Sequence, residues 1–329
     1  MKQEMIVPAL IRKIVVFGGS GFIGSAVVDR LLKDGYELRI FEHPRVKPYR
    51  AFSSSEKIEW YSGDMLNEHD VSRAVTGMDA VLHLVSFTLP KNSNEDILYD
   101  VQTNLMAALQ LLNVMRSQKV GKIIFISSGG TVYGIPKYVP VDETHPTDPL
   151  VSYGITKLTI EKYLLLFQHL YGIKSVILRV SNAYGPRQRL ETSQGAVGIF
   201  LDRALRGLPI EIWGDGSTVR DYVYVDDVAN AFAKALIYEG SQTVFNISSG
   251  VGVSLNQLLD EIEALINKPL IRKYMEGRSF DVPSNVLNNN LSKKELGWSP
   301  NMPLQQGLLK TIAWLQQNRD VENTNPRLV

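Results

Sequence analysis

The chain has 329 residues, of which 44% are hydrophobic and 21% charged, a balance typical of a globular protein with a sizeable core. The net charge of +1 argues against a broad attraction to nucleic acid or an anionic membrane, and the lack of cysteine excludes disulfides, thiolate nucleophiles and zinc–thiolate sites. The apolar run near the N-terminus is too short for a signal peptide or a membrane span, so we expect a cytoplasmic protein.

From Lys13 onward, short β-branched runs alternate with longer helical patterns, which predicts a doubly wound α/β fold with helices on both faces of a parallel sheet. The predicted strands are Ile14–Phe17, Glu37–Phe41, Ile58–Tyr61, Ala80–Leu84, Lys122–Ile126 and Ser175–Arg179. The predicted helices include Ser25–Lys33, Val151–Tyr171 and, in the second half of the chain, Asp226–Tyr238.

The regular alternation ends after Asn182. Shorter elements are predicted beyond it, namely Pro209–Trp213, Val244–Ile247 and Leu255–Ile266. We therefore expect a first domain over residues 11–181, to which residues 221–249 return, and a second, smaller α/β lobe over residues 182–329. The polar stretch Asn318–Val329 predicts a loose tail.

A glycine-rich turn follows the first predicted strand and opens the first predicted helix. It places Gly18, Gly21 and Gly24 in a G-x-x-G-x-x-G pattern. Glycines there let the backbone approach a pyrophosphate, while the helix N-terminus offers unpaired N–H groups and the positive end of its dipole. A purely structural turn is the alternative, but the strand–turn–helix setting favours a dinucleotide site.

An acidic residue, Glu42, ends the second predicted strand, where a carboxylate can accept hydrogen bonds from the adenosine ribose hydroxyls and repel a 2′-phosphate. This favours NAD, although Arg45 and Lys47 nearby leave NADP open. Asp64, after the third strand, is a candidate for the adenine edge, and a helix N-cap is a nearly equal alternative.

Tyr153 and Lys157 form a Y-x-x-x-K pair on one face of a predicted helix. A free tyrosine has a pKa near ~10, so it is a poor base unless a neighbouring ammonium lowers its pKa, and Lys157 can supply that charge. A chance pair on a solvated helix face is the alternative. The hydroxyl-rich segment Ser127–Gly134 precedes the pair and offers groups that could hold a substrate oxygen.

Taken in order, these motifs resemble those of the extended short-chain dehydrogenases of the sugar-nucleotide epimerase and dehydratase family. The resemblance runs from Lys13 to about Trp314 and includes Arg179–Gln188 and Arg220–Asp227. It implies a Rossmann domain that binds NAD, a second lobe that binds a UDP-sugar, and a homodimer built from the helices around Tyr99–Ser117 and Ser152–Tyr171.

Within the family, the chain is most similar to the UDP-glucose (UDP-galactose) 4-epimerases. The dehydratases carry acidic groups where this chain has Gly130 and Thr131, and the related 3,5-epimerases use a cysteine, which this chain lacks. By this resemblance Tyr153 removes the C4 hydroxyl proton while a 4-keto sugar forms transiently. The 4-epimerases have a serine at the position of Gly129, so Ser128 and Thr131 become the candidate hydroxyls.

The resemblance also assigns binding residues. The catalytic set is Tyr153, Lys157, Ser128 and Thr131. The cofactor set is Gly18, Gly21, Phe22, Ile23, Gly24, Glu42, Asp64, Met65, Leu84, Ser86, Asn104, Ser127, Tyr153 and Lys157. The substrate set is Asn182, Arg187, Ile212, Arg220, Asn246, Arg278, Asp281 and Asn285.

Three of the substrate assignments bear on which sugar is bound. Arg220 and Arg278 match a pair that clamps the diphosphate, with surface salt bridges as the alternative. Asn285 stands where some 4-epimerases have a bulky tyrosine, which would leave room for an N-acetylated sugar. Arg187 and Arg189 could meet a carboxylate, so a UDP-glucuronate 4-epimerase stays open.

Two other classes of protein remain as alternatives: a sugar-nucleotide oxidoreductase with net NAD(P) turnover, and a non-catalytic NAD-sensing or RNA-associated relative. The intact Tyr153–Lys157 pair argues against the second, and the near-neutral charge without an aromatic–basic stripe argues against nucleic acid. The five histidines lack ligand spacing, so no metal is expected. They are His43, His69, His83, His145 and His169.

Overall fold

The computed structural model describes residues 11–188, 190, 195–277 and 282–324. Two predicted substrate residues, Arg278 and Asp281, therefore lie outside the described residues. No helix of the described residues is long and apolar enough to span a membrane. The same residues contain no group of three or more His, Cys, Asp or Glu side chains that could hold a metal ion.

A seven-stranded parallel sheet forms the centre of the molecule, in the order β10-β6-β5-β4-β1-β2-β3. Its middle strands are buried on both faces, which explains why they read as continuous apolar runs. The strands are β1 (Lys13–Phe17), β2 (Glu37–Glu42), β3 (Ile58–Ser62), β4 (Ala80–His83), β5 (Lys122–Ser128), β6 (Lys174–Val180) and β10 (Val244–Ile247).

Helices cover both faces of this sheet, as the alternating pattern predicts. On one face, α1 (Phe22–Lys33) packs against α7 (Val225–Leu236) over one core cluster. The opposite face carries α2 (Glu68–Val75), α4 (Ala107–Gln118) and α5 (Ser152–Tyr171) over a second cluster. The carboxyl ends of β1, β2, β4 and β5 therefore meet along one edge of the sheet, where doubly wound folds bind ligands.

The segment between β4 and α4 differs from the single helix predicted around Tyr99–Ser117. It consists of a short helix α3 (Ile97–Asp100), a π-helical turn over Val101–Met106, and then α4. Side-chain bonds accompany this turn, since Asn104 donates to the Asp100 carboxylate and carbonyl. A π turn adds a residue to one helical turn, a change that a 3.6-residue pattern does not reveal.

A smaller lobe has its own core cluster. Its strands are β7 (Asn182–Tyr184), β8 (Ile210–Trp213), β9 (Val219–Tyr224), β11 (Gly252–Ser254), β12 (Arg272–Met275) and β13 (Ser284–Asn285), and its helices are α6 (Ala196–Leu205), α8 (Leu255–Ile266) and α10 (Leu304–Thr324). Helix α9 (Asn290–Glu295) packs instead against β10 of the large sheet. Strand β9 pairs with β7, β11 and β13. The chain then returns through α7 and β10 to the large sheet before it re-enters the smaller lobe.

The C-terminal tail prediction is wrong as far as Thr324, because α10 continues through Leu304–Thr324. Leu308 and Leu315 of this helix are buried in the core of the smaller lobe. Helix propagation from such a packed segment costs far less than nucleation, so the polar residues that follow stay helical. Residues 325–329 lie outside the described residues.

Candidate active site

The glycine-rich turn after β1 is shaped for close backbone approach. Gly18 has a φ of +83°, and a Cβ on Gly24 would overlap the Gly18 carbonyl oxygen. Helix α1 starts directly after Gly21, with no side-chain cap and no acidic residue in its first turn. Its first N–H groups are thus available to an anionic group such as a pyrophosphate. Phe22 and Ile23, half-buried in that turn, pack against the first core cluster.

Glu42 lies beside this turn at the end of β2. It is buried, and its Oε1 accepts hydrogen bonds from the Ser20 backbone N–H at 2.8 Å and the Ser20 hydroxyl at 2.7 Å. Arg45 and Lys47 are exposed. The group fixed at this edge is therefore a carboxylate, which suits ribose hydroxyls and disfavours a 2′-phosphate. The turn and Glu42 together fit NAD.

Asp64 lies in a turn and not at a helix start. Its Oδ1 accepts a hydrogen bond from the Leu66 N–H at 2.9 Å, whereas Asn67 caps α2 by accepting from the His69 N–H at 3.0 Å. The alternative in which Asp64 serves as the helix cap is wrong. Met65 is buried next to it, with its carbonyl accepting from the Gln110 amide.

The opposite wall of the predicted cofactor site follows β4. Leu84 and Ser86 are half-buried there. Asn104 is buried, and its amide binds protein groups on both sides: its oxygen accepts from the Phe87 N–H at 3.0 Å, and its nitrogen donates to the Thr88 hydroxyl at 3.0 Å. Asn104 therefore shapes this wall by fixing the loop that carries Ser86.

Tyr153 and Lys157 lie on one face of α5, as predicted. The Lys157 Nζ lies 5.6 Å from the centre of the Tyr153 ring and donates to the Ile126 carbonyl at 3.1 Å. Burial raises the pKa of Tyr153 to about 12, against a hydrogen bond from Ser86, and burial lowers the pKa of Lys157 to about 8. Burial therefore outweighs the lowering of the Tyr153 pKa that the sequence predicts from the Lys157 ammonium.

The hydroxyl groups of the segment after β5 differ in whether they have a hydrogen-bond partner among the described residues. The Ser127 hydroxyl is buried and donates to Glu161, and its predicted contact with the cofactor stays a prediction. Ser128 is half-buried, and the buried Thr131 Oγ1 has no hydrogen-bond partner among the described residues. A buried hydroxyl without a partner costs free energy unless a ligand supplies one, which favours Thr131 as a substrate contact.

The absent serine at position 129 has a steric explanation. A Cβ on Gly129 would overlap the Cδ1 of Leu287, a fully buried residue, and would also come within 3.2 Å of the Arg179 carbonyl. Asn285, two residues before Leu287, donates from its amide to the Gly129 carbonyl at 3.2 Å. Its own Oδ1 is buried without a partner in the described part of the chain.

A cavity of about 400 Å³ opens in the smaller lobe. Three predicted substrate residues, Asn182, Ile212 and Arg220, are among its lining. Arg220 lies on β9 with its guanidinium donating to the Val282 carbonyl at 2.7 Å, and Asn182 on β7 donates to the Asp221 carbonyl at 3.0 Å. These contacts hold both side chains at one end of the small sheet.

Sequence reasoning missed several residues of this cavity. Lys91, Gln188, Glu211, Trp213 and Tyr222 also line it. The Tyr222 hydroxyl and the Gln188 Oε1 are buried without a partner among the described residues, which is the state expected of groups that bind a ligand. Both lie inside segments singled out in the sequence, but a motif does not tell which of its side chains are satisfied within the protein.

Two predicted substrate residues are placed elsewhere. The Arg187 guanidinium forms an ion pair with Asp29 of α1 at 2.7 Å. Asn246 is fully buried in β10, where it accepts from the Tyr133 hydroxyl at 2.7 Å and donates to the Val141 carbonyl at 3.0 Å. Both side chains therefore have partners within the protein, and their contacts with a substrate stay predictions.

Comparison with known proteins agrees with this geometry. Residues 14–248 match the model of the NAD dependent epimerase/dehydratase family. A putative UDP-glucose 4-epimerase of Methanocaldococcus jannaschii is 35% identical over 93% of this chain and 99% of its own length. A UDP-glucose 4-epimerase of Mycolicibacterium smegmatis is 33% identical over 92% and 98%, and a dTDP-4-dehydro-6-deoxyglucose reductase of Escherichia coli is 33% identical over 91% and 96%.

Solved structures show the same similarity. The UDP-glucose 4-epimerase of Thermotoga maritima with UDP-glucose superimposes with a TM-score of 0.89, at 35% identity over 93% of this chain and 99% of that one. The Thermus thermophilus UDP-glucose 4-epimerase in complex with NAD gives 0.85, at 32% identity over 92% and 99%. A UDP-N-acetylglucosamine 4-epimerase of Methanobrevibacter ruminantium gives 0.87, at 27% identity over 94% and 99%.

Proposed function

The chain belongs to the NAD dependent epimerase/dehydratase family, and from that premise we propose that it is an NAD-dependent 4-epimerase that interconverts UDP-glucose and UDP-galactose. The observation that carries the proposal is the pairing of Tyr153 and Lys157 on α5, where the Lys157 Nζ lies 5.6 Å from the centre of the Tyr153 ring, in a chain that also has the glycine-rich turn beside Glu42. The sugar passes through a transient 4-keto intermediate.

NAD binds along the carboxyl edge of the large sheet. The turn of Gly18, Gly21 and Gly24 and the N-terminus of α1 hold its pyrophosphate, Glu42 accepts from its adenosine ribose, and Asp64 with Met65 borders the adenine. Leu84 and Ser86 form the opposite wall. When bound, NAD would supply the hydride acceptor and donor for the sugar and a positive charge that favours the phenolate of Tyr153.

Tyr153 takes the proton of the C4 hydroxyl as the 4-keto sugar forms and returns it afterwards. Its raised pKa in the protein alone keeps the phenol protonated, so an added positive charge is needed to make it a base at neutral pH. Lys157 supplies part of that charge. Ser128 and Thr131 hold the same sugar oxygen, in place of a serine that Leu287 excludes from position 129.

The UDP portion of the substrate lies in the cavity of the smaller lobe. Ile212 and its strand border the base, and Arg220 approaches the diphosphate. Asn182 and the unpartnered groups of Gln188 and Tyr222 provide the remaining polar contacts. Arg278 and Asp281 remain proposed members of the site.

Substrates with a different sugar are part of the same proposal. Asn285 is smaller than tyrosine and has an unpartnered amide oxygen next to the segment Ser127–Gly134, which suits an N-acetylhexosamine. The ion pair of Arg187 with Asp29 weakens one argument for a uronic acid, and Arg189 lies outside the described residues, so UDP-glucuronate is the weaker alternative. The similarity to a dTDP-sugar reductase keeps net NAD(P) turnover as the second candidate reaction.

The organisation of the molecule completes the proposal. Residues 11–181, with 221–249 returning, form the NAD domain, and residues 182–329 form the sugar-nucleotide lobe. The exposed apolar residues Met106, Ile155, Leu166 and Leu170 support a homodimer through the π-helical turn and α5, because such side chains gain most from burial. Without cysteine, the chain suits the reducing cytoplasm.

One assay separates these reactions. The purified protein, with no added cofactor, is incubated separately with UDP-glucose, UDP-N-acetylglucosamine and UDP-glucuronate while NMR follows the anomeric protons. The expected result is growth of the 4-epimer signal, above all in the sample with UDP-glucose. The sample in which the 4-epimer grows identifies the substrate. Signals that change only with added NAD or NADPH, accompanied by a net absorbance change, would replace epimerisation by an oxidoreductase reaction.

The Tyr153→Phe variant is the matched control for that assay. It removes one hydroxyl and keeps the ring, so NAD binding should persist while turnover falls by at least ~100-fold, the lower end of the range for losing a general acid–base. Isothermal titration with NAD checks the first expectation and the NMR assay the second. Turnover within a few-fold of the unmodified protein would remove Tyr153 from the reaction.

A further inference from the structure

Asp100 is a fully buried carboxylate at the junction of α3 and the π-helical turn. Its Oδ2 accepts hydrogen bonds from the Ser152 hydroxyl at 2.6 Å and the Thr156 hydroxyl at 2.7 Å. Its Oδ1 accepts from the Asn104 amide at 3.0 Å and from the Thr88 hydroxyl. No lysine or arginine of the described residues is among its hydrogen-bond donors, so four neutral groups compensate the buried charge.

The two hydroxyls on Oδ2 have a special position in the sequence. Ser152 immediately precedes Tyr153, and Thr156 immediately precedes Lys157. Because residues four apart share one face of a helix, a single carboxylate oxygen holds α5 one residue before each member of the pair. Truncating either hydroxyl would leave Asp100 with fewer donors and α5 with one fewer anchor.

The other carboxylate oxygen connects Asp100 to the loop after β4. It accepts hydrogen bonds from the Thr88 hydroxyl, which belongs to that loop, and from the Asn104 amide. The Asn104 oxygen in turn accepts from the N–H of Phe87 in the same loop. Ser86, next to Phe87, lies close enough to Tyr153 to lower the pKa of its phenol, against the larger rise caused by burial. Asp100 is therefore connected to both the helix that carries Tyr153 and the loop that carries Ser86.

The same loop caps the start of α5. Val151, the N-cap residue, provides no side-chain cap. Instead, the Asn94 amide oxygen accepts from the Ser152 N–H at 2.8 Å and the Ser93 hydroxyl from the Tyr153 N–H at 3.0 Å. The N–H groups at the start of α5 are therefore bonded without the hydroxyls of Ser152 and Thr156, which donate to Asp100 instead.

We propose that Asp100 is a positioning residue, which fixes the geometry of the Tyr153–Lys157 pair through Ser152 and Thr156 and fixes the Ser86 loop through Thr88 and Asn104. This inference rests on the proposed 4-epimerase reaction, since it assigns Asp100 to the same catalytic pair. Asp100 touches neither the substrate cavity nor the glycine-rich turn, so its effect passes through its four partners.

The charge of Asp100 gives the proposal a measurable signature. Burial is the largest cause of the raised pKa of Tyr153, and the charge of Asp100 raises that pKa further. Burial lowers the pKa of Lys157, whereas the charges of Asp100 and of Glu161 in α5 raise it. The remaining groups nearby are Arg179 of β6, which is paired with Glu161, and His83 of β4, whose pKa burial lowers to about 3. Neutralising Asp100 should therefore lower both pKa values, while His83 stays neutral above pH ~4.

The decisive variant is Asp100→Asn, which keeps the shape and removes the charge. We expect kcat for UDP-glucose to fall about tenfold, because small misplacements of catalytic groups are costly, with KM within about twofold. Both limbs of the kcat–pH profile should move to lower pH. A purely structural role would lower the melting temperature and leave both limbs in place, and that result would overturn the proposal.

Substitutions of its partner provide the matched controls. Thr156→Val removes one donor to Asp100 and should lower kcat about fivefold, whereas Thr156→Ser keeps the hydroxyl and should restore it. Thr159→Val is the control on the same helix, since the Thr159 hydroxyl bonds only the Ile155 carbonyl among the described groups. Equal losses in Thr156→Ser and Thr156→Val would contradict the proposed role of the hydroxyl, even if Asp100→Asn did not fold.

A titration separates this inference from the proposed reaction. In protein labelled with [¹³Cζ]tyrosine, the signal lost in Tyr153→Phe identifies Tyr153, and its pKa is measured in the parent protein and in Asp100→Asn. A lower pKa in Asp100→Asn supports the inference even if no UDP-sugar turns over, which would overturn the proposed function alone. An unchanged pKa with normal turnover of the parent protein would overturn the role of Asp100 alone.

Discussion

Gly129 and Leu287 illustrate how residues far apart in the chain determine one another. Sequence reasoning identified Gly129 as a departure from the 4-epimerase pattern but could not explain it, because the cause is a leucine 158 positions later that fills the space of a Cβ. In contrast, the roles of Gly24 and Glu42 followed from local chemistry, since the turn, the helix start and the strand end are all adjacent in sequence. The internal partners of residues such as Arg187 and Asn246 are remote in the sequence, so these bonds could not be predicted from local patterns.

The Gly129–Leu287 contact predicts coupled mutations. Gly129→Ser should lower the free energy of unfolding by about 1–3 kcal/mol through overpacking. Leu287→Ala should lower it by about 2–5 kcal/mol because it leaves a cavity. In the double variant the serine enters that cavity, so the combined loss should be smaller than the sum by about 1 kcal/mol or more. Urea unfolding of the four proteins measures this difference, and simple additivity would contradict the steric explanation.

His83 predicts how stability depends on pH. Burial, and then the charge of Lys157, lowers the pKa of His83 from 6.5 to about 3. Its folded pKa lies below its unfolded value, so its contribution to stability is complete above pH 6.5 and is lost as the pH falls toward 3. Between pH 7 and pH 5 this loss should be about 2 kcal/mol. Urea unfolding at both pH values should show that loss in the parent protein and not in His83→Asn.

The exposed His69 of α2 provides the control for this experiment. His69→Asn should retain the full acid sensitivity of the parent protein. Equal pH dependence in the His83 and His69 variants would mean that His83 is not the group responsible.

At the level of secondary structure, periodicity predicted the elements whose packing is regular. The seven-stranded sheet contains all six early strands and Val244–Ile247 near their predicted bounds, and Leu255–Ile266 matches α8. The π-helical turn was not predicted because it depends on contacts of Asp100 and Asn104 with other segments. The length of α10 was missed because the polar composition of its C-terminal part was taken as a sign of disorder. The first half of the helix is packed in the core of the smaller lobe and supports the helical conformation of the polar residues that follow.

The strand–turn–helix unit at the cofactor site predicts a selective loss of NAD binding. Gly24→Ala places a methyl group against the Gly18 carbonyl, which must shift and distort the turn around the pyrophosphate. We expect at least ~10-fold weaker NAD binding, a change of about 1.4 kcal/mol. Gly121→Ala, where a Cβ meets open space, should bind NAD like the parent protein. Isothermal titration measures both, and unchanged affinity in Gly24→Ala would contradict the assignment of this turn.

For the whole molecule, the apolar surface of α5 predicts the state of assembly. Leu166 of that helix is 43% exposed in the single chain, and Glu at this position would place a charge within the proposed homodimer interface. Sedimentation should show twice the chain mass of 36.8 kDa for the parent protein and a single chain for Leu166→Glu. Ile237→Glu, at a site 61% exposed at the end of α7, should remain dimeric. A monomeric parent protein would refute the homodimer.

The late return of β10 to the large sheet has a consequence during synthesis. On the ribosome, β6 emerges well before β10, and residues 181–243 must be translated before the outer edge of β6 acquires its partner. Until then the nascent chain exposes an unpaired, largely apolar strand, which is a template for aggregation. A stalled or truncated product that ends before Val244 should therefore depend on chaperones far more than the completed chain does.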